Sequence, residues 1–222
     1  MAFSWKDLSE EQLYGEPSRL TFDVLGAWVD FHQYASLYYG PEFRVKPLKP
    51  TVRADSYRLG MILCRGIAAS QVADVKTDFN RAEYEFMVAA KCIRVGMRPA
   101  NMREVQGIYE ELKGKLSLSQ KFWFLHTFVA IAYEGKGEAK LQALDYFISQ
   151  STVLEFEPDH STAFPCDSSL YSLWRGFLGD EPGPKLSASQ RQLLETKVAS
   201  FEGTKVAKTY ERNRKRFLRN AN

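Results

Sequence analysis

The stretch QKFWFLHTFVAIAY, Gln120–Tyr133, is apolar on nearly every side of a helical wheel. Ser117, followed three residues later by Gln120, has the pattern of a capping box that opens it. A helix apolar all round has no face to give to water, so it belongs inside a core. We therefore expect a mainly α fold in which this helix is central and amphipathic helices surround it. The lone His126 within it, with no second histidine or acid at ligand spacing, reads as a packed or hydrogen-bonded core residue.

The neighbouring stretches fit that frame. On the N-terminal side, Ser9 should cap a short helix over residues 8–13, which Gly15 and Pro17 end. Leu20, Val24, Trp28 and Phe31 recur at helical spacing, and Gly40-Pro41 stops that helix. Pro41, Pro47 and Pro50 then mark a loop carrying Lys46 and Lys49, a connector or a binding element. Residues 52–72 predict a helix with Leu59, Ile62, Leu63 and Ile67 inward and Arg53, Arg58 and Arg65 on another side. Those arginines pair with neighbouring acids, stay in solvent or meet phosphates. Residues 74–96 predict a longer helix with Gly96 at its C-cap and Pro99 blocking its continuation. Asn101 with Glu104 resembles a capping box for the next helix, to about Lys113.

On the C-terminal side, Glu134–Gly137 is a turn, and Glu138–Gln150 predicts a helix with Leu141, Leu144, Phe147 and Ile148 inward. Residues 151–157 suggest a short strand or extended piece, the one small β contribution expected. Ser168–Leu178 predicts a short helix. Gly179-Asp-Glu-Pro-Gly-Pro184 is the clearest boundary, and Ser187 with Gln190 caps a final helix to about Phe201. This divides the chain into a compact multi-helix body (1–178), a Gly/Pro hinge (179–186) and a C-terminal helix with a basic helical arm (187–222).

Charge is concentrated in that arm. The last twenty residues hold seven Lys or Arg against one acid, whereas the whole chain is only +3. Such a field meets an anion, most often nucleic acid. Lys205, Lys208, Arg212, Arg214, Lys215, Arg216 and Arg219 are the candidate phosphate contacts, and Tyr210 and Asn213 the candidate contacts to base or sugar. With only Tyr210 and Phe217 interleaved, a single-strand stacking platform is not indicated.

The same segment carries a family resemblance. Phe201-Glu202-Gly203, then Tyr210-Glu211-Arg212-Asn213 and a basic run, resembles the segment just before the ββα-metal core of restriction-type HNH endonucleases. In that family a strand-and-helix passage of this kind leads into the first zinc-knuckle cysteine. The resemblance covers only the C-terminal end, and its motif is loose. It implies the recognition or regulatory front part of a DNA nuclease of defence or restriction type, continuing past Asn222 into the catalytic core. DNA rather than RNA would be the partner, and no residue here receives a catalytic or metal role.

Other chemistry is sparse. The chain has 45% hydrophobic and 14% aromatic residues, a composition that excludes a disordered polymer. Cys64, Cys92 and Cys166 are odd in number and widely spaced, which suits a reducing cytoplasm better than a disulfide framework. The start has no signal-peptide pattern, and no run is long enough for a membrane span. Nucleophile-elbow, P-loop and dinucleotide glycine motifs are absent. Glu155, Glu157, Asp159, His160 and Cys166 are the densest set of metal-ligand types, but acids in a Pro-rich loop are ordinarily solvated, and no metal or cofactor is assigned. Glu111-Leu-Lys113 and Glu138-Ala-Lys140 match a nuclease triplet but fall on helical patterns rather than strands. A helical adaptor subunit of a larger complex, with no catalysis of its own, remains the alternative function. An enzyme with a site assembled from dispersed residues is a third.

Overall fold

The computed structural model describes residues 4–38, 45–70, 81–134, 136–155, 166–179 and 185–220. Among them the chain is all-α. The helices are α1 (Glu10–Tyr14), α2 (Phe22–Tyr38), α3 (Pro50–Ser70), α4 (Arg81–Gly96), α5 (Met102–Leu112), α6 (Leu118–Glu134), α7 (Gly137–Thr152), α8 (Cys166–Leu178), α9 (Ala188–Ala199) and α10 (Lys205–Asn220). Three short 3-10 helices lie at Trp5–Asp7, Pro17–Arg19 and Pro99–Asn101. No described helix is long and apolar enough to cross a membrane.

The residues fall into two compact units: α1 to α5 with α6 up to Thr127, and α6 from Phe128 with α7 to α10. The helix that organises the sequence thus supplies both cores. Phe122, Phe124 and Leu125 are buried in the first unit; Phe128, Ile131 and Ala132 are buried in the second. Capping boxes form at Ser9–Gln12, Ser117–Gln120 and Ser187–Gln190. Each satisfies amide groups that the first helical turn leaves without partners.

In the first unit, α3 and α4 lie against each other through two glycines. A β-carbon on Gly60 would stand 2.6 Å from the Ala89 carbonyl oxygen, and one on Gly96 would stand 2.3 Å from the Arg53 carbonyl oxygen. Gly96 is therefore a site of close backbone approach. It ends α4 without the left-handed conformation expected of a C-cap glycine. Ser56 Oγ adds a bond across the same contact, donating to the Cys92 carbonyl at 2.8 Å.

The inward face of α3 differs from the one expected. Val52, Ser56, Tyr57, Gly60, Met61, Cys64 and Ala68 are buried, whereas Ile62 is 68% exposed and Leu59, Leu63 and Ile67 are half-buried. Small residues won the interface because they allow the backbones to approach. Two of the three α3 arginines have partners in the protein: Arg65 pairs with Glu111 at 3.3 Å, and Arg53 Nε donates to the Leu48 carbonyl at 3.4 Å.

Asn101 does not cap α5. It is the last residue of the 3-10 helix that Pro99 starts, and its backbone is helical. Glu104, freed from a capping role, accepts the Tyr57 hydroxyl at 2.7 Å.

A polar layer joins α2, α4 and α6 in this unit. Lys91, 8% exposed at its side chain, reaches Asp30 at 2.6 Å and lies over the rings of Tyr34 and Trp123. Arg94 is 3.2 Å from His126 Nδ1, so the imidazole nitrogen facing it accepts. Burial, then Arg94 and Lys91, hold His126 well below the usual histidine range and keep it neutral. It is the packed, hydrogen-bonded residue that its sequence context suggests.

In the second unit the buried Trp174 indole donates to Ser151 Oγ at 3.0 Å, and Phe147 packs edge-on to Phe177. Two expectations fail here. Leu141 is 55% exposed, with Ala143, Leu144, Phe147 and Ile148 forming the inward face of α7 instead. Residues 151–155 form no strand: Thr152 completes α7, its hydroxyl donating to the Ile148 carbonyl at 2.8 Å, and residues 156–157 lie outside the described set. Residues 180–184 of the Gly/Pro stretch also lie outside it. The helices that follow are packed onto those before it. Leu194, Val198 and Phe201 are buried, Gln190 donates to Asp145 at 3.1 Å, and Lys197 donates to the Leu154 carbonyl at 2.9 Å.

Candidate nucleic-acid interface

The basic segment is a fastened helix. Gly203, at φ +80°, makes the turn from α9 that a side chain would resist, and Thr204 Oγ1 accepts from the Ala207 amide at the start of α10. Val206 and Ala207 are buried, and Tyr210 is half-buried with its ring edge-on to Tyr171 of α8, centroids 5.5 Å apart. These three occupy one side of the wheel. Lys208, Arg212 and Lys215, at i, i+4 and i+7, share the opposite side and are exposed, with exposed Lys205 ahead of them on the same side. Asn213 and Arg214 are exposed off that face. Arg216 and Arg219 continue α10, with side chains outside the described residues.

Beside this ridge is a cleft of about 920 Å³ formed by α8, the α9–α10 turn and α10. Four cations line it: Arg175 from α8 and Lys208, Arg212 and Lys215 from α10. Two carboxylates, Glu202 and Glu211, line it as well. Arg175 is held by Glu211 at 3.7 Å and by the face of Tyr210, 5.8 Å from the ring centre. Tyr171, Val198 and Ala207 supply its less polar wall. Burial raises the Tyr171 pKa, which keeps its hydroxyl protonated.

The sequence-derived set is thus divided by the fold. Lys208, Arg212 and Lys215 converge on the cleft, Lys205 and Arg214 stand outside it, and Tyr210 serves as an anchor. Arg175 and Tyr171 were not foreseen. They lie more than thirty positions upstream on a helix with an ordinary amphipathic pattern, and only the α8–α10 packing brings them to the ridge.

Other candidate sites resolve differently. Among the described residues, no three His, Cys, Asp or Glu side chains are grouped to hold a metal ion. Of the acidic loop set only Glu155 is described; residues 157, 159 and 160 and the Cys166 side chain lie outside. Glu111 pairs with Arg65, Lys113 with Glu110, and Lys140 with the Tyr133 carbonyl, so both triplets are engaged on helix surfaces. Lys46 pairs with Glu10 and lies over Tyr14, while residues 39–44 of its loop lie outside the described set. His32 Nε2 is 2.5 Å from the Leu13 carbonyl, bridging α1 and α2. The passage that resembles an HNH lead-in is helix, turn and helix here, with Phe201 buried at the turn.

No family model matches the chain, and neither a curated protein nor a solved structure is significantly similar to it.

Proposed function

We propose that this chain is a non-catalytic helical module that docks on nucleic acid through α10 and serves as the recognition part of an HNH-type DNA nuclease. One observation carries the docking: Lys208, Arg212 and Lys215 stand together and exposed on a helix whose other side is fixed into the second unit. Converging cations on a rigid helix neutralise phosphates and release their counterions, which gives affinity without sequence readout. The nuclease assignment adds the resemblance at Phe201–Asn213 and rests on it alone.

The test is a salt series of duplex DNA binding, read by fluorescence anisotropy, with the intact chain and with Lys208→Gln, Arg212→Gln, Arg214→Gln and Lys215→Gln combined. Each lost phosphate contact should flatten the log–log salt slope by about 0.9, with binding reduced at every salt concentration. An unchanged affinity and slope would sink the proposal. Truncation at Gly183 is unsuitable because it strips Leu194, Val198 and Phe201 from the core of the second unit.

A second reading, an adaptor subunit, is favoured by the apolar side of α3, where exposed Ile62 is flanked by half-buried Leu59 and Leu63. It predicts no nucleic-acid binding by either protein.

A further inference from the structure

The basic ridge and the cleft beside it suit different ligands. A duplex is a stiff rod that carries its phosphates on its outer surface, so it meets the exposed ridge and does not enter a concave site. A single strand or a strand end can enter one. The cleft is open to solvent on one side and offers a volume of about 920 Å³, room for a nucleotide.

The charge pattern narrows the ligand further. Arg175, Lys208, Arg212 and Lys215 attract phosphate, but Glu202 and Glu211 line the same space and repel it. A site for bare anions gains nothing from two carboxylates. A nucleotide carries both kinds of group: a phosphate for the cations, and amino or hydroxyl donors that carboxylates accept. The Arg175–Glu211 contact of 3.7 Å leaves the α10 cations as the principal phosphate partners.

Resting on the nucleic-acid reading above, we propose that the cleft seats one nucleotide of a single strand or strand end. Its phosphate lies on Lys208, Arg212 and Lys215, its sugar or base donors face Glu202, and the wall of Tyr171, Val198 and Ala207 lies beneath it.

The test compares two charge-matched pairs. Lys208→Gln with Arg212→Gln removes two cations from the cleft. Lys205→Gln with Arg214→Gln removes two from α10 outside it. All four side chains are exposed, and circular dichroism checks the fold. The probes are a labelled twelve-nucleotide single strand and a hairpin duplex of the same sequence, at one fixed low salt concentration. The cleft pair should weaken single-strand binding by about tenfold or more, and the outside pair by no more than about threefold. Equal single-strand losses for the two pairs would overturn the nucleotide seat and leave ridge docking intact; the duplex, which meets the same ridge cations, should also weaken with the cleft pair. Failure of the unmodified protein to bind either probe would overturn both. Glu202→Ala adds a test of sign. Attraction of a plain anion predicts tighter binding when this negative charge is removed, and the nucleotide seat predicts weaker single-strand binding. Unchanged or tighter binding counts against the seat.

Discussion

Two glycines on α3 should respond to the same substitution with opposite signs. At Gly60 the new β-carbon would meet the Ala89 carbonyl oxygen at 2.6 Å and the Ile93 amide nitrogen at 2.7 Å. Both are backbone atoms of α4, so no side chain can rotate away, and α4 must retreat by several tenths of an ångström. That loosens the burial of Met61, Cys64, Ala89 and Ile93 together. Overpacking of this kind costs about 1–3 kcal/mol, against which alanine returns about 1 kcal/mol of helix propensity. At Gly66, on the same helix, nothing lies within 4 Å of the added carbon. Gly66→Ala should therefore stabilise by about 0.5–1 kcal/mol, while Gly60→Ala destabilises by up to about 2 kcal/mol. Urea unfolding followed by far-ultraviolet circular dichroism reads the difference as a change in midpoint at constant m-value. A Gly60→Ala protein as stable as the Gly66→Ala protein would refute the close α3–α4 approach.

Histidine titration makes a second prediction. Burial is the main cause that lowers His32 to about 4, and the bond to the Leu13 carbonyl only partly opposes it. Between pH 6.5 and 4 the unfolded chain binds the extra proton and the folded chain does not, so stability falls as pH falls through that window. The loss attributable to His32 is at most about 3 kcal/mol, and His126 adds to it in the same direction. His32→Gln should flatten the stability profile between pH 6.5 and 4, and an unchanged profile would refute the assignment. The Asp30–Lys91 pair makes a third. Asp30 is 52% exposed and Lys91 8%, so Asp30→Ala leaves a buried ammonium without its carboxylate, beside the Tyr34 and Trp123 rings. The expected cost is about 1–2 kcal/mol, whereas Lys91→Met should cost less than about 1 kcal/mol. Thermal unfolding of the two variants distinguishes them, and the reverse order would contradict this account of the pair.

The legible parts of the sequence were those set by local chemistry. Gln120–Tyr133 had no polar side and became the helix that supplies both cores, and Ser9, Ser117 and Ser187 formed the boxes their spacing implied. What failed depended on distant partners. The inward face of α3 was misread because Leu59, Ile62 and Leu63 are larger and more apolar than Ser56, Gly60 and Ala68, yet only the small residues let α4 approach. Gly96 does end α4, but its close approach to Arg53 and Tyr57 was not legible, because those residues lie some forty positions away. Residues 151–157 suggested a short strand or extended piece, but the Thr152 hydroxyl found a carbonyl one turn back in α7. The candidate interface divides the same way. The cations of α10 could be counted in the sequence. The cleft could not, because Arg175 joins it only through tertiary packing.

A basic tail that is disordered before binding must give up conformational freedom at the moment of contact, at a cost of about 2–5 kcal/mol of the gross interaction energy. Here Val206, Ala207 and Tyr210 have already ordered α10 through folding of the second unit. The spacing of Lys208, Arg212 and Lys215 is therefore set before any ligand arrives. Association should carry the small heat-capacity change of rigid surfaces meeting, and the charge contacts need not offset the ordering of the α10 backbone as well.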